Sequence, residues 1–448
     1  MSQALSLSRR LGSNALAKLA SELVGRVATF GLSLYIANQL GERAFGAYNF
    51  GLALGFVLAQ IADMGLQVLA ARDVAIAGRG AQPLVARALR LKLWLSLPVL
   101  ALLFILRDGR PASEQVALLL LGLAMLAQTF LEFAAYVYRG QQRVMREAGL
   151  LTAARLLTAF FAGAAIWAGA GLPAVGAAYL LAIAGVALWG MWGLRASGWF
   201  VFRTSSARST PGSRQDWRDR TGHSLQGPGY GELIREALPL GIAIFLSIGY
   251  TRVAVFLLEY RLGPLAVAEF SAAHRLVEPA QIVPAALLAA VFPAFSEALH
   301  HDRRQARWLG WGSSLLLALV GGSAALVFWF GAPWLIPTLY GEAFADSIPV
   351  LQFLGLSALP AFVNYSLTHI LIARGQQLYS SIFVGIMLIL HGALTWTFIP
   401  VLGAVAPALS VTFAELILLL LCTGVLALTR GKAGQMNVSE EQKHRTDV

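Results

Sequence analysis

The chain has 448 residues, of which 57% are hydrophobic and only 13% charged, with a mean hydropathy of +0.67. Globular chains carry about 25% charged residues, so this composition excludes one soluble core and makes lipid the solvent. The net charge of +11 does not point to nucleic acid, because it is confined to alternate connections between apolar runs.

Twelve runs are long enough for the roughly 20 helical residues that cross a bilayer. They lie near 15–40, 46–69, 88–106, 115–138, 148–169, 173–194, 236–260, 264–296, 308–330, 347–373, 378–400 and 404–429. A helix satisfies its own backbone where no water can reach, so the predicted fold is an all-α integral membrane protein. Twenty-six of the 34 Lys and Arg residues fall on one set of connections and both ends. The other set holds only Arg43, Arg107, Arg110 and Arg261. The positive-inside rule therefore places both termini in the cytoplasm.

The first run follows Arg9 and Arg10 and lacks a small-residue cleavage site, so it reads as a retained span. It closes on Leu40-Gly41, followed by Ala44, Gly46, Tyr48 and Asn49, a pattern that returns 222 positions later as Leu262-Gly263 with Ala266, Ala268, Phe270 and Ser271. Arg139-Gly140-Gln141-Gln142, after the fourth run, returns as Arg374-Gly375-Gln376-Gln377 after the tenth. Such repetition predicts two six-helix lobes around a central cleft, 1–195 and 232–430. The Arg, Ser and Gly-rich stretch 196–231 is the expected cytoplasmic linker, and 431–448 a polar, disordered cytoplasmic tail.

Within the spans, Gly51 and Gly55 offer a small-residue face for close helix packing. Pro279, Pro284 and Pro293 all fall in the eighth run, so that span is expected to be kinked. The single cysteine, Cys422, reads as packing.

An ionisable group at membrane depth costs several kcal/mol unless it meets a partner or a wet cavity, which makes each one a functional candidate. Four arginines lie inside spans: Arg26, Arg155, Arg252 and Arg275. Glu22 stands four residues before Arg26 and Glu278 three after Arg275, so each pair can neutralise itself on its own helix. Arg252 and Arg155 have no acid at those offsets. Glu132 and Arg155 sit at similar depth on consecutive spans and are a candidate ion pair, while Asp63, Glu132, Glu415 and His391 are candidates for ion coupling. By this count no lysine lies deep in a span. Arg26, Arg252 and Arg275, from the first span of each half and the kinked eighth, are the candidate substrate contacts. A guanidinium keeps its charge at depth and its fork of donors matches phosphate oxygens. No phosphate-binding loop, H-E-x-x-H or serine nucleophile elbow is present, so no enzyme activity, cofactor or metal site is expected.

The stretch Leu40-Gly41-Glu42-Arg43-Ala44-Phe45-Gly46-Ala47-Tyr48-Asn49-Phe50, with Ala62-Asp63-Met64-Gly65-Leu66 and Ala71-Arg72-Asp73, resembles the opening of the polysaccharide-export flippases. Ala273-His274-Arg275-Leu276 and Phe292-Pro293-Ala294-Phe295-Ser296 resemble that family's eighth span, and the likeness covers about residues 13–430. It implies the two-lobed fold of the multidrug/oligosaccharidyl-lipid/polysaccharide superfamily in a bacterial inner membrane. The implied cargo is a polyprenyl-pyrophosphate-linked oligosaccharide for cell-surface or exopolysaccharide synthesis. A cationic cavity is implied too, with Arg26, Arg252 and Arg275 at the pyrophosphate. Membrane lipids, a polysaccharide polymerase and glycosyltransferases are the implied partners. Two other functions compete with this one: a drug/cation antiporter centred on Asp63 and Glu132, and a non-transporting scaffold for glycan-assembly enzymes.

Overall fold

The computed structural model describes residues 2–199 and 229–446, and among these every regular element is helical. The predicted linker lies for the most part outside the described residues. The helices are α1 (Ser2–Asp63), α2 (Leu66–Ala77), α3 (Gln82–Leu106), α4 (Ala112–Gly140), α5 (Val144–Trp167), α6 (Leu172–Ala196), α7 (Tyr230–Leu262), α8 (Pro264–Val277), α9 (Ile282–His301), α10 (Arg303–Tyr340), α11 (Ser347–Leu356), α12 (Ala358–Ala373), α13 (Gln377–Leu402) and α14 (Ala406–Thr446). Among the described residues, ten helical segments are long and apolar enough to cross a membrane. Their outer faces match that solvent, since Leu181, Leu188, Phe330 and Val401 all stand exposed.

Two corners of the chain are built alike. α1 runs for 62 residues but bends at Gly41, where φ is 79° and ψ 173°. Gly263, between α7 and α8, has φ 81° and ψ −168°. Side chains disfavour this conformation, so glycine is required at both places, and the Leu-Gly repeat is one corner made twice.

The second repeat also closes its two helices, but in a shifted register. After α4 the left-handed residue is Gln142, with φ 60°; after α12 it is Gly375, with φ 74°. The two turns therefore align two residues out of step with the four-letter match. The reason is local. Gly140 stays helical and packs on α2, where an added Cβ would lie 2.7 Å from the Ala71 carbonyl oxygen. Gly375 instead ends its helix as a left-handed cap.

The eighth span is broken, as its prolines predict. α8 and α9 are separated by a 3-10 turn, Glu278–Gln281, that contains Pro279, and Pro293 lies inside α9. At the other end of the chain α14 continues to Thr446, where the polar composition of 431–448 predicted disorder.

Contacts divide the chain into Met1–Arg252 and Val253–Val448, with α7 crossing from one unit into the other. The repeat put all of 232–430 in the second lobe, so the two divisions differ at the start of α7. Backbone proximity explains this: a Cβ on Gly241 would lie 2.6 Å from the Met64 carbonyl oxygen. In the first unit α4 packs on α1, α2 and α6. Close approach of α1 and α4 depends on glycine, since a Cβ on Gly55 would lie 2.8 Å from the Gly122 Cα. In the second unit α10 packs on α11 and α12, and α13 on α14. Cys422 is buried there with Leu371 and Phe383, a packing residue as expected.

Candidate functional site

The end of α1 carries the first element of the site. Met64 and Gly65 both take positive φ, 44° and 82°, and turn the chain into α2. Asp63 holds this turn, its Oδ2 accepting the Gly65 N–H at 3.2 Å. Its Oδ1 accepts from Lys92 Nζ of α3 at 2.5 Å, and neither side chain has any exposure. The Lys92 ammonium also faces the rings of Phe130 and Phe133 on α4, 5.5 and 5.9 Å from their centroids, contacts that further offset its burial.

Lys92 is the site residue that sequence reasoning missed. Its place near the cytoplasmic start of the third run counted it among the topology-setting charges, and sequence reasoning left no lysine at depth. The signal was on the helix face: Val85, Ala88, Lys92, Ser96, Val99 and Leu103 recur at helical spacing, and all six are buried.

Glu132 joins the same cluster. Its Oε1 accepts from Gln128 Nε2 at 3.1 Å, and Lys92, Asp63 and Gln67 all act on its carboxyl group. It keeps partial exposure. Arg155 lies against α1, where a Cβ on Gly25 would fall 2.7 Å from its Cδ.

The three arginines proposed as ligands stand in different settings. Arg26 is exposed on α1, and among the described residues no ion pair engages it; Glu22, a turn away, does not close the expected pair. Arg252 on α7 is partly buried with its guanidinium 5.8 Å from the Phe56 ring centroid. Arg275, in the last turn of α8, does reach Glu278, Nη1 to Oε2 being 3.6 Å. Arg26 and Arg252 belong to the first unit and Arg275 to the second.

Two further polar contacts are structural. Arg139 Nε donates to the buried Glu147 Oε1 at 3.0 Å and braces the turn between α4 and α5. Asn364 Nδ2 donates to Glu415 Oε2 at 2.8 Å and ties α12 to α14. Among the described residues no group of three or more His, Cys, Asp or Glu side chains is placed to hold a metal ion.

Comparison with known proteins agrees with this architecture. Residues 11–299 match the family model described as polysaccharide biosynthesis protein. A candidate O-antigen transporter of Escherichia coli (strain K12) is 27% identical over 137 residues, which cover 30% of this chain and 32% of that protein. The match thus spans about a third of the relative's length. Among solved structures, a multidrug resistance MATE family transporter of the MOP superfamily in an inward-facing conformation superposes with a TM-score of 0.72 at 16% identity, covering 93% of this chain and 99% of that one. The lipid II flippase MurJ in an inward closed conformation also gives 0.72, at 11% identity, covering 92% and 87%. These likenesses establish the fold, a multi-pass membrane architecture shared by both.

Proposed function

The chain belongs to the polysaccharide biosynthesis protein family, and on that premise we propose that it is a flippase for a polyprenyl-pyrophosphate-linked oligosaccharide in a bacterial inner membrane. Alternating access moves the anionic headgroup from the cytoplasmic to the outer side while the lipid tail stays in the bilayer. Arg26, Arg252 and Arg275 contact the pyrophosphate. Two of the apolar segments, Ser21–Asp63 and Leu378–Leu428, break at Gly41 and Gly403 into pieces of about 20 residues or more, each enough for one crossing at about 1.5 Å per residue, which supports twelve spans with both ends on one side. An inside-negative potential of about 100 mV favours outward movement of each negative charge by about 2.3 kcal/mol.

The observation that carries this reading is the Lys92–Asp63 pair. The fold alone is common to a multidrug transporter and a lipid II flippase. A cationic cargo needs an uncompensated carboxylate; of the two acids the antiporter reading centres on, Asp63 already holds an internal cation, which leaves Glu132, bonded to Gln128, as the one acid such a cargo could use. Arg26 meanwhile presents an exposed guanidinium that an anion can use.

The test is complementation of a deletion strain. Replacing Arg26, Arg252 or Arg275 by Ala should abolish glycan export and leave the lipid-linked precursor on the cytoplasmic leaflet, with the protein still folded in the membrane. Normal export in all three variants removes the assigned contacts, and efflux of cationic dyes by the wild type would favour the antiporter.

A further inference from the structure

The cluster at the turn between α1 and α2 does not balance its charge. Asp63 and Glu132 bring two carboxylates and Lys92 one ammonium. With all three ionised the net charge is negative by one unit, and a buried uncompensated charge costs several kcal/mol. One more positive charge completes the site.

The geometry decides where that charge goes. Both oxygens of Asp63 already accept a donor, Lys92 Nζ on Oδ1 and the Gly65 N–H on Oδ2. Glu132 accepts from Gln128 on Oε1 and is the one acid of the pair with partial exposure, hence the one that can exchange with its surroundings. Gln67 Oε1, on a side chain only 6% exposed, is buried with no hydrogen-bond partner. An amide can donate to a carboxylate or accept from a carboxylic acid, so Gln67 is equipped to serve Glu132 in either state. From the other helices packed on α4, Arg155 of α5 lies against Gly25 and Tyr179 of α6 bonds Tyr48.

We propose that Asp63, Lys92 and Glu132 form a single-proton site in which Lys92 is a tethered counter-cation for Asp63 and Glu132 takes up and releases the proton. One proton adds to a Glu132 carboxylate oxygen, and the cluster passes from one net negative charge to neutral. On the positive-inside orientation this site faces the cytoplasmic half of the membrane. The ammonium occupies the place an alkali cation would take on Asp63, so the site takes a proton and not sodium. As a coupling site it rests on the transport reading; as a proton site it does not.

The experiment is infrared difference spectroscopy on the full-length protein in lipid nanodiscs, across a pH step, with thermal stability measured in sodium and in choline buffers. The wild type should show a carboxylic-acid carbonyl band that Glu132→Gln removes and Glu132→Asp shifts in frequency without removing. Lys92→Met should add a second such band, and Asp63→Asn with Lys92→Met should return the spectrum to one. Melting should be the same in sodium and choline. A band unaffected by Glu132→Gln, or no band, overturns the proposal. So does a sodium-dependent rise in melting temperature that Glu132→Gln abolishes, which assigns the charge to a metal cation. No cargo is needed, so the outcome is independent of whether the glycan assignment holds.

Discussion

Equivalent places in the two halves are filled by different chemistry. By the 222-residue spacing of Gly41 and Gly263, Lys92 corresponds to Ser314, and by the alignment of the Gln142 and Gly375 turns Glu132 corresponds to Tyr365, beside Ser366. In the first unit these positions hold a buried lysine and a half-buried glutamate. In the second, Ser314 Oγ and Ser366 Oγ are 3.0 Å apart, with Ser313 Oγ 3.3 Å from Ser366. Hydroxyls therefore suffice to pack this part of the scaffold. Because a buried ion pair is often no more stable than a well-packed neutral substitute, the charges in the first half call for a role that packing does not supply.

The largest effect should come from breaking that asymmetry. Lys92→Met leaves Asp63 buried without its cation and should cost about 3–5 kcal/mol, read by unfolding in mixed micelles. Ser314→Ala removes one neutral hydroxyl and should cost about 0.5–1.5 kcal/mol. Adding Asp63→Asn to Lys92→Met should recover most of the loss. If Lys92→Met proves as mild as Ser314→Ala, the two halves are energetically alike and the charge argument fails.

A smaller effect separates close backbone contact from ordinary packing. Gly241→Ala puts a Cβ 2.6 Å from the Met64 carbonyl oxygen, and such overpacking costs about 1–3 kcal/mol. Gly392, in the second unit, would place its Cβ 3.5 Å from Val253 Cγ2. There the helix gains from alanine, so Gly392→Ala should be neutral or stabilising by up to about 1 kcal/mol. Equal destabilisation by both would show that the Gly241 contact with the turn at Met64 is no more demanding than ordinary packing.

What could be read from the sequence followed from how local each signal is. The Gly41 and Gly263 corners were legible because positive φ selects glycine whatever the surroundings. The break in the eighth span was legible because proline lacks a donor. Asp63 and Glu132 stood out as acids in apolar runs, and so did Arg275 with Glu278. The Lys92 pairing was not legible, since a long flexible side chain near a span end can point to water or inward, and only the position of α1 decides. The two-residue shift between the Arg139-Gly140-Gln141-Gln142 turn and its copy was not legible for a related reason. Which residue ends a helix depends on what α2 presents to Gly140, a tertiary fact.

The smallest expected effect tests whether charge near the surface acts like charge in the core. Arg72 Nη2 meets Glu236 Oε2 at 2.9 Å, with side chains 50% and 31% exposed, and at the 222-residue spacing the second half has Ala294 in place of Arg72. An exposed pair is worth about 0.2–1 kcal/mol, so Glu236→Ala should cost no more than that. Its cost should fade at high salt, where screening shortens the reach of exposed charges, whereas that of Lys92→Met should not. Exchanging the two residues should not restore the loss. Arg72 Nε also donates to Asp73 Oδ1 at 2.8 Å, and the Asp73 side chain is only 2% exposed, so Arg72→Glu sets a second acid beside a buried one. Glu236→Arg alone should then be milder than Arg72→Glu with or without its partner change. Full recovery in the exchanged protein would mean that Arg72 serves Glu236 alone and that Asp73 draws nothing from it.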